Sequence, residues 1–88
     1  MTNEEILQQI YDETLVGNKP AVVELTNLGI EAEIPPNTLL FEALIPALEE
    51  VGARFERGDF FVPEMLISGR AMTGALESMR TRYATLLE

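Results

Sequence analysis

The run from Glu50 to Met65, E-V-G-A-R-F-E-R-G-D-F-F-V-P-E-M, constrains this fold more than any other stretch. Val51 and Phe55 lie four apart, as on one face of a helix, and Gly58 then ends that helix because glycine tolerates positive φ. Pro63 opens the next one, since its missing N–H has no intrahelical partner in a first turn anyway. Between these two signals stands the apolar tripeptide Phe60-Phe61-Val62. An interhelical turn is ordinarily polar, so three bulky apolar residues in a row need a cover. Two covers are open: the protein's own core, or a large flat apolar ligand.

The rest of the chain repeats the helical pattern. Thr2 and Glu5 form a capping box, which predicts a helix from Asn3. Ile6, Leu7, Ile10, Tyr11, Thr14 and Leu15 recur at three- and four-residue spacing up to Gly17. Asn18 caps a second helix with Pro20 in its first turn, which carries Val22, Val23, Leu25 and Leu28 and is expected to end before Gly29. Residues 30–35 connect it to a third helix from about Pro36 to Arg57, with Leu40, Leu44, Leu48, Val51 and Phe55 as its buried stripe. Pro46 lies inside that helix, removes one backbone hydrogen bond and predicts a kink. A fourth helix spans Pro63 to about Leu87, with Met65, Met72 and Met79 seven apart and joined by Leu76, Tyr83 and Leu86. Gly69, Ala71, Gly74 and Ala75 are small enough to admit a neighbouring helix closely. No segment alternates as a strand does. The expected fold is all-α, an antiparallel four-helix bundle with a Pro-kinked third helix, forming one domain over residues 1–88.

Composition narrows the chemistry. An 88-residue chain buries roughly 60–65% of its unfolded surface, enough for one core. It contains no cysteine and no histidine, so it lacks thiolates, imidazole metal ligands and the most usual general base at neutral pH. The absence of cysteine suits a reducing cytoplasm. A net charge of −9, from 15 acidic and 6 basic residues, disfavours nucleic acid and anionic membranes as partners. The acidic start Met-Thr-Asn-Glu-Glu does not resemble a signal peptide, and the apolar run from Leu39 to Leu48 is broken by Glu42 and too short for a span. Glu42, Glu49 and Glu56 share a helix face, but carboxylate di-metal bundles pair Glu with His, so a solvated acidic face is the expectation. The methionine column reads as core filler rather than a soft metal site. No catalytic residue is expected in the chain by itself.

The ordered series Leu44, Pro46, Leu48, Val51-Gly52, Phe55, Gly58, Phe61, Pro63, Ser68-Gly69 and Met72, with Gly17-Asn18 upstream, resembles the helical N-terminal domain of corrinoid proteins and cobalamin-dependent methyltransferases. The resemblance covers nearly the whole chain. It implies a cap over the upper face of cobalamin (methylcobalamin) during methyl transfer, with Phe55 and Val62 at the positions that touch the corrin. Val62 stands where leucine is more usual in the family. The resemblance further implies an α/β cobalamin-binding domain as partner, carrying the axial histidine this chain lacks, together with methyltransferase subunits. Tight cobalamin binding by this chain alone is not expected. Light-sensing regulators of the same family carry Trp and a Glu-His pair where this chain has Phe55 and Glu64-Met65, which favours the methyltransferase branch. An acidic helical interaction module is the alternative from another class. A free Phe60–Val62 surface would also suit a homodimer.

Overall fold

The computed structural model describes the backbone of residues 1–87 and the side chains through Tyr83, so Leu86 lies outside the described side chains. The described residues form helices only: α1 (Asn3–Leu15), α2 (Lys19–Glu31), α3 (Pro36–Leu39), a π-helical segment (Leu40–Leu44), α4 (Ile45–Glu56) and α5 (Val62–Leu87). Because α3, the π segment and α4 run on without a break, these elements make four helical rods, as the sequence predicts.

Each rod starts and stops for a local reason. At the start of α1, Thr2 Oγ1 accepts from the Glu5 N–H at 3.1 Å while Glu5 accepts from the Thr2 N–H at 3.1 Å. Asn18 caps α2 through the Ala21 N–H at 3.3 Å. The C-termini of α1, α2 and α4 all close in the same manner. The first residue past each cap takes positive φ, and its N–H and that of the following residue fold back onto carbonyls of the last turn. Gly17 (φ 75) and Gly58 (φ 82) serve α1 and α4, with Asn18 N–H to Glu13 O at 2.9 Å and Asp59 N–H to Arg54 O at 2.8 Å.

At α2 the structure departs from expectation. The helix does not stop at Gly29 but continues to Glu31, and Glu33 (φ 64) takes the left-handed position. Gly29 lies within the helix because a Cβ there would stand 3.0 Å from Leu39 Cδ2, so it serves packing rather than termination. The Ile34 N–H returns to Gly29 O at 3.0 Å, and the Ile34 side chain is buried. That burial offsets the strain of a non-glycine residue at positive φ.

The Pro46 kink also takes a different form. The chain widens into a π turn just before the proline, and the Ile45 N–H reaches back five residues to Leu40 O. Pro46 has no N–H to give the Glu42 carbonyl, and its ring crowds that turn, so a one-residue insertion relieves both problems. The insertion changes which residues face inward. Leu39, Ala43, Leu44, Ala47 and Val51 are buried, Leu40 and Leu48 are partly buried, and Phe55 leaves the core.

The core gathers Ile6 and Ile10 of α1, Val22 and Ile30 of α2, Leu39, Ala43 and Leu44, and Ala71, Ala75 and Met79 of α5. Small residues face α2: at Gly74 a Cβ would fall 2.9 Å from Val23 Cγ2. Of the methionine column only Met79 is buried; Met65 and Met72 are partly so. Glu42, Glu49 and Glu56 are all exposed, as a solvated face requires. No helix among the described residues is long and apolar enough to cross a membrane.

Candidate functional site: the turn between α4 and α5

The last turn of α4 runs past its neighbours, so Phe55, Glu56 and Arg57 are all exposed. Gly58 then reverses the chain, and the Phe60 N–H donates to Arg54 O at 3.1 Å, which holds the turn tight against the end of α4. Charged groups brace it from outside. Glu50 accepts from Arg54 at 3.0 Å and from Arg57 at 3.1 Å, and Arg57 also reaches Asp59 at 3.3 Å. Hydrogen bonds from Arg54 first, then Arg57, hold the Glu50 carboxyl below its ordinary pKa, while its Glu50 and Asp59 bonds raise the Arg57 guanidinium. At the other side Glu64 accepts from the Phe61 N–H at 3.2 Å and so caps the start of α5.

This frame divides the apolar tripeptide. Phe60 folds back beneath Arg54, whose guanidinium carbon lies 5.3 Å from the ring centroid, and is half-buried. Phe61 and Val62 point outward, 64% and 57% exposed, and Phe55 is 45% exposed. The bundle's core therefore covers neither Phe61, nor Val62, nor Phe55. Of Phe60–Val62, the exposed part therefore begins at Phe61.

The structure places the two predicted site residues on consecutive helices at the two sides of one turn. It adds Leu66 and Ile67, also exposed, to the same end of α5. The four-residue step from Val62 to Leu66 carried that signal in the sequence. Behind this surface α5 is pinned to the bundle: Ser68 Oγ donates to Leu15 O at 3.0 Å in a buried position. Gly17 packs so closely on Ile67 that a Cβ there would overlap it.

Grooves lie elsewhere, one of about 360 Å³ between α2 and α5 beside Lys19 and Gly74, another between α1 and the Pro46 region beside Tyr11. Among the described residues no group of three or more acidic, histidine or cysteine side chains is placed to hold a metal ion. What the turn offers is apolar carbon on a rigid frame.

Fold and turn together define a helical-bundle domain that presents an apolar surface at the junction of its last two rods. The chain belongs to the B12 binding domain family, which matches residues 6–79, as the helical domain found in corrinoid proteins. It is 32% identical over 77 residues to monomethylamine corrinoid protein 2 of Methanosarcina acetivorans, covering 88% of this chain and 36% of that one. With the dimethylamine corrinoid protein of Methanosarcina barkeri it shares 30% identity over 80 residues, 91% of this chain and 37% of the relative. The solved structure of the Methanosarcina barkeri monomethylamine corrinoid protein superposes with a TM-score of 0.87 at 27% identity, over 92% of this chain and 38% of that one. The chain thus spans little more than a third of the length of these curated relatives.

Proposed function

We propose that this domain is the cap of a corrinoid methyl carrier: it covers the upper face of a cobalamin held by an α/β partner domain, in a system whose methyl donor is a methylamine. The observation that carries this reading is the exposure of Phe55 and Val62, 45% and 57%, on the two helices flanking one braced turn. The family match and the names of the methylamine corrinoid relatives supply the ligand and the donor class.

The residues present fit such a ligand in one respect only. They offer apolar contact to a flat ring, and with no histidine or cysteine they offer no imidazole or thiolate to cobalt. Any imidazole or thiolate ligand to the cobalt would have to come from the partner domain. Cobalamin, when bound, supplies a cobalt centre that takes up and passes on a methyl group. Phe55 and Val62 exclude water and oxygen from that face. A cap must also withdraw to admit donor and acceptor, so its contacts must be modest and separable. Val62, a small side chain, suits a light contact. The same exposed surface, in the free chain, is where two copies associate.

The test is Phe55→Ala in the chain joined to its cobalamin-binding domain. Because Phe55 is half exposed, the bundle should lose well under the ~3–5 kcal/mol of a buried phenylalanine. Oxidation of the reduced cobalt by dissolved oxygen, followed by absorbance, should become several-fold faster. A large fall in melting temperature with an unchanged oxidation rate would remove the covering role and return Phe55 to the core.

A further inference from the structure

Pro46 and the π turn before it do more than bend a rod. They form one wall of a groove of about 360 Å³ whose other wall is α1, lined by Glu4, Leu7, Gln8, Tyr11, Glu42 and Pro46. Leu7, Tyr11 and Pro46 are partly buried and give the groove apolar and aromatic carbon, while Glu4 and Glu42 are exposed, one on each wall. This groove lies apart from the α4–α5 turn. Pro46 precedes Phe55 by nine residues on one rod, about 13–14 Å along its axis.

Two observations indicate an occupant. First, both carboxylates lack an internal partner. Gln8 gives its amide to Asp12 at 3.0 Å, and the ion pairs among the described residues use Glu31, Glu50 and Asp59 instead. No base is near in sequence either, since Lys19 is the sole base before Arg54. Two like charges flanking one groove repel each other, and a cation set between them relieves that repulsion. Second, Phe41, the neighbour of Glu42 on the π segment, is 61% exposed and lies away from the α4–α5 turn.

The chemistry selects the cation. An ammonium group holds its water strongly, whereas a guanidinium is weakly hydrated, stacks on an aromatic face and binds carboxylates through a planar fork. The aliphatic stem of an arginine suits the apolar carbon of Leu7 and Pro46. An exposed aromatic beside an arginine contact is also the composition of a protein interface, where both residue types are enriched. A small free cation would leave Phe41 unused.

We infer that this groove is a docking site for an arginine of a second protein, seated between Glu4 and Glu42 on the Tyr11 ring, with Phe41 as the apolar anchor beside it. The inference is independent of the cobalamin reading, and a partner bound here leaves the α4–α5 turn free.

The test titrates the chain with the blocked tripeptide acetyl-Leu-Arg-Leu-amide, followed by the NMR shifts of Leu7, Tyr11 and Phe41. A citrulline twin of the peptide, which keeps the shape and loses the charge, should bind roughly fivefold more weakly. Glu4→Gln and Glu42→Gln should each weaken binding roughly threefold, the size of an exposed ion pair, with little change in melting temperature. Phe41→Ser should weaken it as well, and added salt should weaken it throughout. Glu24→Gln removes the same charge from an exposed position on α2 and should leave the affinity unchanged. Equal binding of the citrulline peptide, or no movement of the groove residues, overturns the site. Weakening by Glu24→Gln equal to that by Glu4→Gln also overturns it, because net charge alone would then attract the peptide. Methylammonium chloride that shifts the same residues as strongly, with Phe41→Ser unchanged, makes the groove a small-cation site and overturns protein docking.

Discussion

Thr14 and Thr26 are both fully buried, and the hydroxyl of each lacks a hydrogen-bond partner. A buried hydroxyl without a partner carries its desolvation penalty uncompensated, while an apolar group of the same shape carries none. Thr26→Val keeps the shape of the side chain and removes the orphan oxygen. It should stabilise the bundle by about 1 kcal/mol, read as a rise in melting temperature with the same denaturant slope. A fall in stability would mean that the hydroxyl has a partner in solution, such as a bound water. The sequence marked Thr14 only as a member of an apolar face and passed over Thr26. Periodicity reports which side of a helix is buried, but it does not report whether a buried oxygen finds a donor.

Helix ends were the most legible elements in the sequence, because their signals are local. Thr2 with Glu5, Asn18 with Pro20, and Gly17 and Gly58 all act within four or five residues, and each does in the structure what its spacing predicts. Gly29 is not legible as a packing residue because its reason is tertiary: the space beside it belongs to Leu39 on the next helix, α3. The π segment was likewise hidden. A strict helical stripe through Leu40, Leu44, Leu48, Val51 and Phe55 leaves Phe55 open to either role, and only the extra residue before Pro46 puts Leu39 inward. At the α4–α5 turn the frame is electrostatic as well as steric, so it responds to pH. Glu50 has its pKa lowered in the folded chain, chiefly by the bond from Arg54. A lowered folded pKa adds stability above the ordinary glutamate pKa, and that stability is lost as pH falls through the folded value. Acid should therefore loosen the turn. The protection of the Asp59 and Phe60 amides, relative to their intrinsic exchange at the same pH, should fall below about pH 4.5, and Glu50→Gln should show the loosened turn already at neutral pH. Protection in Glu50→Gln equal to the parent at neutral pH would show that Gly58 and the backbone bonds to Arg54 suffice.

At the scale of the whole molecule, an acidic domain exposes Phe61, Val62 and Leu66, by 64%, 57% and 56%, at the turn between α4 and α5. An apolar surface of this kind on a free domain is a site of self-association. Two copies related by a twofold axis would bring the same residues together and bury them in place of a ligand. Net charge opposes this, since each copy carries −9. The repulsion acts between bodies held apart by the contact, and salt screens it: the Debye length falls from about 10 Å at 0.1 M to about 3 Å at 1 M. Association should therefore strengthen with added salt, the reverse of what an ion-paired interface would show. Sedimentation of the free chain across a salt series should find a monomer at low salt and a growing dimer fraction at high salt. Phe61→Ser should abolish the dimer, whereas Phe60→Ser should weaken it less, because Phe60 already lies beneath Arg54. Adding the cobalamin-loaded partner domain should dissolve the dimer, as both use one surface. A dimer that persists in Phe61→Ser, or that weakens as salt rises, would place the contact away from this apolar surface.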